Sequence, residues 1–111
     1  MAAGLPSFVV TTFELATTDE LERAFIRALC SVYPSQIRAS EIMRALGMAV
    51  PISRDTAGNT ICRDQASLIK FHNLRIRVSR LLSSFDWQVE RTGGLITDAY
   101  AVRYMGLSEA A

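Results

Sequence analysis

Apolar side chains recur at helical spacing between Gln65 and Phe85, and this stretch anchors the interpretation of the whole chain. At about 100° per residue, one side of the predicted helix carries a stripe typical of packing on a core. The stripe consists of Ser67, Phe71, Leu74, Val78, Leu81, Leu82 and Phe85. Asp64 directly precedes the stretch and is a candidate N-cap. The pattern predicts a long helix over residues 65–85 with one buried face.

The opposite side of this helix carries cations, an amide and a hydroxyl but no carboxylate. Its members are Lys70, Asn73, Arg77, Arg80 and Ser84. Such side chains suit phosphates and base edges, although a merely solvated outer face is a competing interpretation. Ile69 and Ile76 lie seven residues apart and also point away from the stripe. We expect them either to touch thymine methyl groups or a partner protein, or to be covered by the preceding loop or a hairpin.

The amino-terminal part is predicted to form a strand and then a helix. Residues 7–15 are rich in β-branched and aromatic side chains, which favour a short strand, with an ordered arm as the alternative. Residues 17–20 fit a capping box in which Thr17 is the N-cap, so a helix should begin there. This helix should end before Pro34, because proline disfavours helical backbone in the residue before it. Cys30, at the edge of its apolar face, is expected to be a packing residue.

Residues 36–63 are predicted to contain a very short strand, a short helix and a long connection. The strand falls at residues 36–38. Ser40 is expected to cap a helix over residues 41–46, which Gly47 ends. Residues 48–63 show no helical period and contain turn residues, which predicts a long loop or a small irregular hairpin.

A β-hairpin is predicted after the long helix. Residues 87–91 alternate apolar and polar side chains, and residues 99–105 are rich in aromatic and β-branched ones. The connection contains two glycines but is longer than a tight turn, so it should protrude as a wing. Arg91 is the cation nearest its tip.

Length and composition indicate one domain over residues 1–111, with residues 1–6 and 107–111 frayed. No apolar run approaches the roughly 20 residues that span a bilayer, and no signal peptide is visible, so we expect a soluble, cytoplasmic protein without a membrane partner. Cys30 and Cys62 lack metal-ligand or CxxC spacing, which favours reduced thiols, although a disulfide between them is left open.

The net charge of +1 gives no overall attraction to a polyanion, so the distribution of charge matters more than its sum. From Lys70 to Arg80 the chain has four cations and no anion. The local excess of positive charge is therefore concentrated in the long helix.

The sequence shows no arrangement typical of catalysis. Its single histidine, His72, has no nucleophile at a recognisable spacing, and the acids form no metal-binding or paired-carboxylate motif. We therefore expect no enzyme activity, no cofactor, no metal ion and no small-molecule substrate.

The predicted order of elements is that of an α+β winged helix-turn-helix, with three helices and a carboxy-terminal two-stranded wing. Residues 74–81 (LRIRVSRL) resemble the V-D-V-H-I-S-R-L run of the OmpR/PhoB-type effector domain. Residues 37–46 (IRASEIMRAL) resemble its second helix and lead-in strand. The resemblance covers roughly residues 8–104 and leaves no room for a receiver domain, so it implies a stand-alone DNA-binding module.

The resemblance implies groove-facing roles for Arg75, Arg77 and Arg80, and the helical wheel adds Lys70 and Asn73. Together with Arg91 on the wing, these are the predicted DNA-binding residues of a small transcriptional regulator of double-stranded DNA. The alternative is a winged-helix protein-interaction module that uses Ile69 and Ile76 and does not bind DNA. A homodimer or another protein partner is left open.

Overall fold

The computed structural model describes residues 4–48, 52–54, 60–62, 65–93 and 99–105, with the backbone alone at residues 52–54, 60–62, 65, 67 and 68. The α+β class is confirmed, but the described residues form four helices rather than the three predicted. The elements are α1 (Ser7–Leu15), α2 (Glu20–Ser31), β1 (Ile37–Arg38), α3 (Ala39–Ala45), β2 (Ile52–Arg54), β3 (Thr60–Cys62), α4 (Gln65–Ser83), β4 (Trp87–Thr92) and β5 (Ala99–Tyr104).

The additional helix is α1, and the prediction of a strand or an arm over residues 7–15 is wrong. Its inner side buries Phe13 and packs Val9 and Val10 against the core. The spacing of these three residues is that of one helix face and not the alternation of a strand. The Thr12 hydroxyl donates to the Phe8 carbonyl one turn earlier, at 2.8 Å. Packing of this face outweighs the weak strand preference of its β-branched residues.

Helix α2 begins two residues later than it would with Thr17 as its N-cap. The prediction of Thr17 as the N-cap is therefore wrong. Asp19 is the N-cap, and its carboxylate accepts from the amides of Leu21 and Glu22 at 2.8 and 3.2 Å. The helix ends at Ser31, ahead of Pro34 as predicted.

The start of the described chain is held against the end of α2. The amides of Gly4 and Leu5 donate to the carbonyls of Tyr33 and Cys30, at 2.8 and 3.0 Å. Leu5 also packs against the core. Gly4 and Leu5 are therefore tied to the fold, contrary to the predicted fraying of residues 1–6.

Helix α3 follows the predicted short strand β1 directly. It begins at Ala39 after Arg38 and has no side-chain cap, so the cap predicted at Ser40 is wrong. Gly47 follows the helix with φ of +75°, a conformation that glycine adopts without steric cost. The helix ends at Ala45, one residue before the predicted end at residue 46.

Two antiparallel sheets contain the strands. The order β1-β5-β4 joins the predicted carboxy-terminal hairpin to the short strand, with Ile37 opposite Tyr100 and Val89 opposite Val102. Strands β2 and β3 pair with each other, so residues 48–63 contain the hairpin alternative rather than only a loop. The predicted cap Asp64 and residues 94–98 of the predicted wing lie outside the described residues.

The core lies where α2, α3 and α4 meet the sheet. Phe71 of α4 stacks on Phe25 of α2, with ring centroids 5.4 Å apart, and its ring lies 5.9 Å from that of Tyr100 of β5. The predicted stripe of α4 is confirmed at its described side chains. Phe71, Leu74, Val78 and Leu82 are buried, Leu81 and Phe85 pack at the edge, and the Ser67 side chain lies outside the described set. The burial of this stripe sets the orientation of the remaining faces of α4.

Candidate functional site

The face of α4 opposite the core is exposed and carries most of the predicted site. Lys70, Asn73 and Arg80 are all exposed there. Ile69 and Ile76 are 59% and 38% exposed, so the alternative in which a loop or a hairpin covers them is wrong. Residues 69, 73, 76 and 80 follow each other at spacings of three and four, which places them in one row along the helix. We call this row, together with Lys70 at its side, the outer strip of α4.

Arg77 lies at the border of the outer strip, and its guanidinium binds acids of α2. Its Nε donates to Glu22 Oε2 at 3.1 Å, and its Nη2 lies 3.9 Å from Asp19 Oδ2. The other Glu22 oxygen, Oε1, accepts from the Thr17 hydroxyl at 2.9 Å. The side chain of Glu22 is only 13% exposed, whereas that of Arg77 is 50% exposed. The cationic face of α4 is therefore bordered by carboxylates that the sequence of α4 itself does not contain.

Arg75 does not share the outer strip. The residue is half-buried, and its Nε atom is buried without a hydrogen-bond partner among the described residues. It follows Leu74 directly, on the side of α4 away from Arg77. The structure thus separates the three arginines of the family resemblance: only Arg80 is exposed on the outer strip without a carboxylate partner described for it.

The hairpin contributes Arg91, near the carboxy-terminal end of β4. Arg91 is exposed and lies opposite Tyr100 in the register. Alternation along a strand places it on the same sheet face as Val89, which packs on the core. The opposite face carries an exposed ion pair between Glu90 and Arg103, at 3.4 Å. Arg91 therefore belongs to the helix-facing side of the hairpin.

An open cleft of about 580 Å³ lies between the end of α4 and the start of the hairpin. It is lined by Ser79, Arg80, Ser83, Asp86, Trp87, Gln88, Val89 and Met105. Arg80 belongs to the outer strip and also lines this cleft. Polar side chains thus continue from α4 to β4 along one surface.

Among the described residues, the groups most often used in catalysis do not converge. His72 is half-buried with its ring edge on Phe71, at a centroid distance of 5.8 Å. Within the described part of the chain, no group of three or more His, Cys, Asp or Glu residues is arranged to hold a metal ion. Cys30 is a free, buried thiol, as expected of a packing residue, and it does not form the disulfide that the sequence left open.

No protein-family model, curated protein or solved structure matches the chain. None of the described helices is both long enough and apolar enough to cross a membrane. Functional inference therefore depends on the geometry of α4 and its neighbours.

Proposed function

We propose that this protein is a winged helix-turn-helix regulator that binds double-stranded DNA through α4. The order α2, β1, α3, α4, β4, β5 and the sheet order β1-β5-β4 are those expected of this fold. In this interpretation α2 and α3 brace α4, which enters the major groove, and the β4-β5 hairpin is the wing. Helix α1 and the β2-β3 hairpin are additions to this arrangement.

The observation that carries the proposal is the outer strip of α4. The buried stripe points the strip away from the protein, so its polar side chains are presented on a single convex surface. A helix fits into the major groove, where arginine pairs with guanine, asparagine with adenine, and apolar groups contact the thymine methyl. Arg80, Asn73 and Ile76 are of these three types and lie within about two turns of one another.

The wing and Lys70 supply contacts to the backbone of the duplex. Lysine acts as a point charge toward phosphate and carries no sequence information. Arg91, on the helix-facing side of the hairpin, has the same role on the wing. Because the net charge is only +1, such local contacts must supply most of the electrostatic attraction to DNA.

The test is DNA binding as a function of salt, first to random-sequence duplex and then to a site selected from it. Lys70→Ala should weaken binding to all sequences and lower the slope of log K against log salt by about 0.9. Arg80→Ala should cost about 1–3 kcal/mol mainly on the selected site. Arg27→Ala is the matched control, because Arg27 is an exposed arginine of α2 paired with Glu14 rather than placed near α4. Wild-type protein without salt-dependent binding would contradict the proposal.

The second candidate function is a protein-interaction module. The exposure of Ile69 and Ile76 favours it, since exposed apolar side chains in one row suit a partner protein. If wild-type protein shows no salt-dependent DNA binding at about 50 mM salt, and Ile69→Asp or Ile76→Asp abolishes capture of a protein partner, this function replaces the first.

A further inference from the structure

Arg77 and Glu22 join the middle of α4 to the first turn of α2 although they are 55 residues apart in the chain. Glu22 is the more buried partner, and both of its carboxylate oxygens accept hydrogen bonds, from Arg77 and from the Thr17 hydroxyl. Asp19, the N-cap of α2, adds a second negative charge near the same guanidinium. The guanidinium is thus held by acids at the border of the outer strip.

An arginine held in this way is not equivalent to an exposed one. A DNA phosphate must compete with Glu22 and Asp19 for the guanidinium of Arg77. Withdrawing the guanidinium from Glu22 would leave a mostly buried carboxylate with the Thr17 hydroxyl as its described donor, and a mostly buried charge that loses its partner is costly. The phosphate contact therefore competes with an interaction that already exists in the protein.

We propose that Glu22 withholds Arg77 from the DNA backbone and so lowers the affinity of the protein for DNA of any sequence. The inference rests on the proposed function and identifies Glu22 as a residue that positions Arg77. Phosphate contacts provide essentially all of non-specific binding, whereas contacts with base edges distinguish sequences. Withholding one cation therefore weakens non-specific binding while Asn73 and Arg80 keep their access to the bases.

The decisive variant is Glu22→Gln, which removes the charge and keeps the size of the side chain. Release of Arg77 to a phosphate should make the slope of log K against log salt steeper by about 0.9 on random duplex. The affinity gain over wild type should therefore grow by about 3.5-fold when salt is lowered from about 200 to about 50 mM. Thermal melting shows whether the variant is folded, and Glu22→Ala replaces it if it is not.

Glu20→Gln is the matched control. Glu20 lies in the same first turn of α2, but its carboxylate pairs with Arg23, so its loss changes the charge of the turn without releasing Arg77. Its slope should equal that of wild type. The double variant Glu22→Gln with Arg77→Ala should not show the gain in DNA affinity that Glu22→Gln alone shows, because the released cation is then missing.

The inference is overturned if folded Glu22→Gln has the same slope as Glu20→Gln, or if the gain persists in the double variant. In both cases wild type and Lys70→Ala still differ in slope, so the proposed function survives. If wild-type protein shows no salt-dependent binding, the proposed function and this inference fail together.

Discussion

The Cys30 thiol shows how burial controls the chemistry of a single residue. Its side chain is 1% exposed on the inner side of α2. Burial raises the pKa of the Cys30 thiol from 9.0 to about 12, and the nearby Glu14 carboxylate adds to this rise. Because the thiolate is the nucleophilic form of cysteine, native protein keeps Cys30 unreactive at neutral pH.

We predict that this thiol makes the protein less stable in alkali. Below pH 9 the thiol is protonated in both states, and between pH 9 and 12 the unfolded chain releases a proton that the folded protein retains. The free energy of unfolding should therefore fall by up to about 1.4 kcal/mol per pH unit in this window. Denaturant unfolding in a Cys62→Ser background, with Cys30→Ala as the control, measures this loss. Equal slopes for the two proteins above pH 9 would contradict the prediction.

At the scale of single residues, the sequence predicted which way a side chain of α4 points better than it predicted which residues that side chain contacts. The 3.6-residue period places Lys70, Asn73 and Arg80 on the outer face, where the structure has them exposed. The pairing of Arg77 with Glu22 had no local signal, because i, i+3 and i, i+4 rules apply within one helix. Contacts between separate helices depend on packing geometry that a single sequence does not display.

At the scale of elements, α1 shows why a local preference can mislead. Differences in helix propensity among ordinary residues are below about 0.7 kcal/mol each. Burying one large apolar side chain contributes about 1.5–3 kcal/mol. Phe13 is buried together with packed Val9 and Val10, so tertiary packing decides in favour of helix. A pattern of β-branched residues gives no information about the surface against which the segment packs.

The packing of α1 can be measured with two phenylalanines of the same helix. Phe13→Ala should cost about 3–5 kcal/mol of unfolding free energy, because it leaves a cavity among the rings of Phe85 and Trp87. Phe8 is 73% exposed, so Phe8→Ala should change the free energy of unfolding by less than about 0.5 kcal/mol. Denaturant unfolding gives both numbers. Similar losses in the two variants would show that α1 does not pack by its Phe13 side.

The orientation of α4 is tested by introducing a charge on either side. Val78→Asp should unfold the domain, because Val78 is fully buried and an unpaired carboxylate in the core is costly. Ile76→Asp, two residues away on the exposed face, should leave the melting temperature nearly unchanged. Circular dichroism during heating distinguishes the two variants. An unchanged melting temperature for Val78→Asp would mean that the helix faces the other way.

At the scale of the whole molecule, the change of apolar period carried most of the prediction. A period near 3.6 through α4 and near 2 after Trp87 predicted the long helix and the hairpin, and both are present. The pairing of β2 with β3 was left open, because short strands flanked by turn residues lack a strong period. The segregation of charge along the chain was visible in the sequence. The proximity of the acidic residues of α2 to α4 was not, because it arises only in the folded protein.

We predict that α4 and the hairpin contact one duplex. Lys70 and Arg91 lie on different elements, and each is proposed to contact a phosphate. If both contact the same DNA, the double variant Lys70→Ala with Arg91→Ala should lower the slope of log K against log salt by about 1.8, twice the effect of either change. Distant contacts add in this way because they share no partner.

Arg103→Ala is the control within the hairpin, since Arg103 is exposed on the opposite sheet face and pairs with Glu90. Its slope should match that of wild type, because that face is directed away from the side shared by Arg91 and Val89. Fluorescence anisotropy with a random-sequence duplex, from about 50 to 200 mM salt, measures wild type, the two single variants, the double variant and Arg103→Ala. If the slope of Arg91→Ala equals that of wild type, and the double variant lowers the slope by only about 0.9, the hairpin does not act as a wing on the duplex that α4 binds.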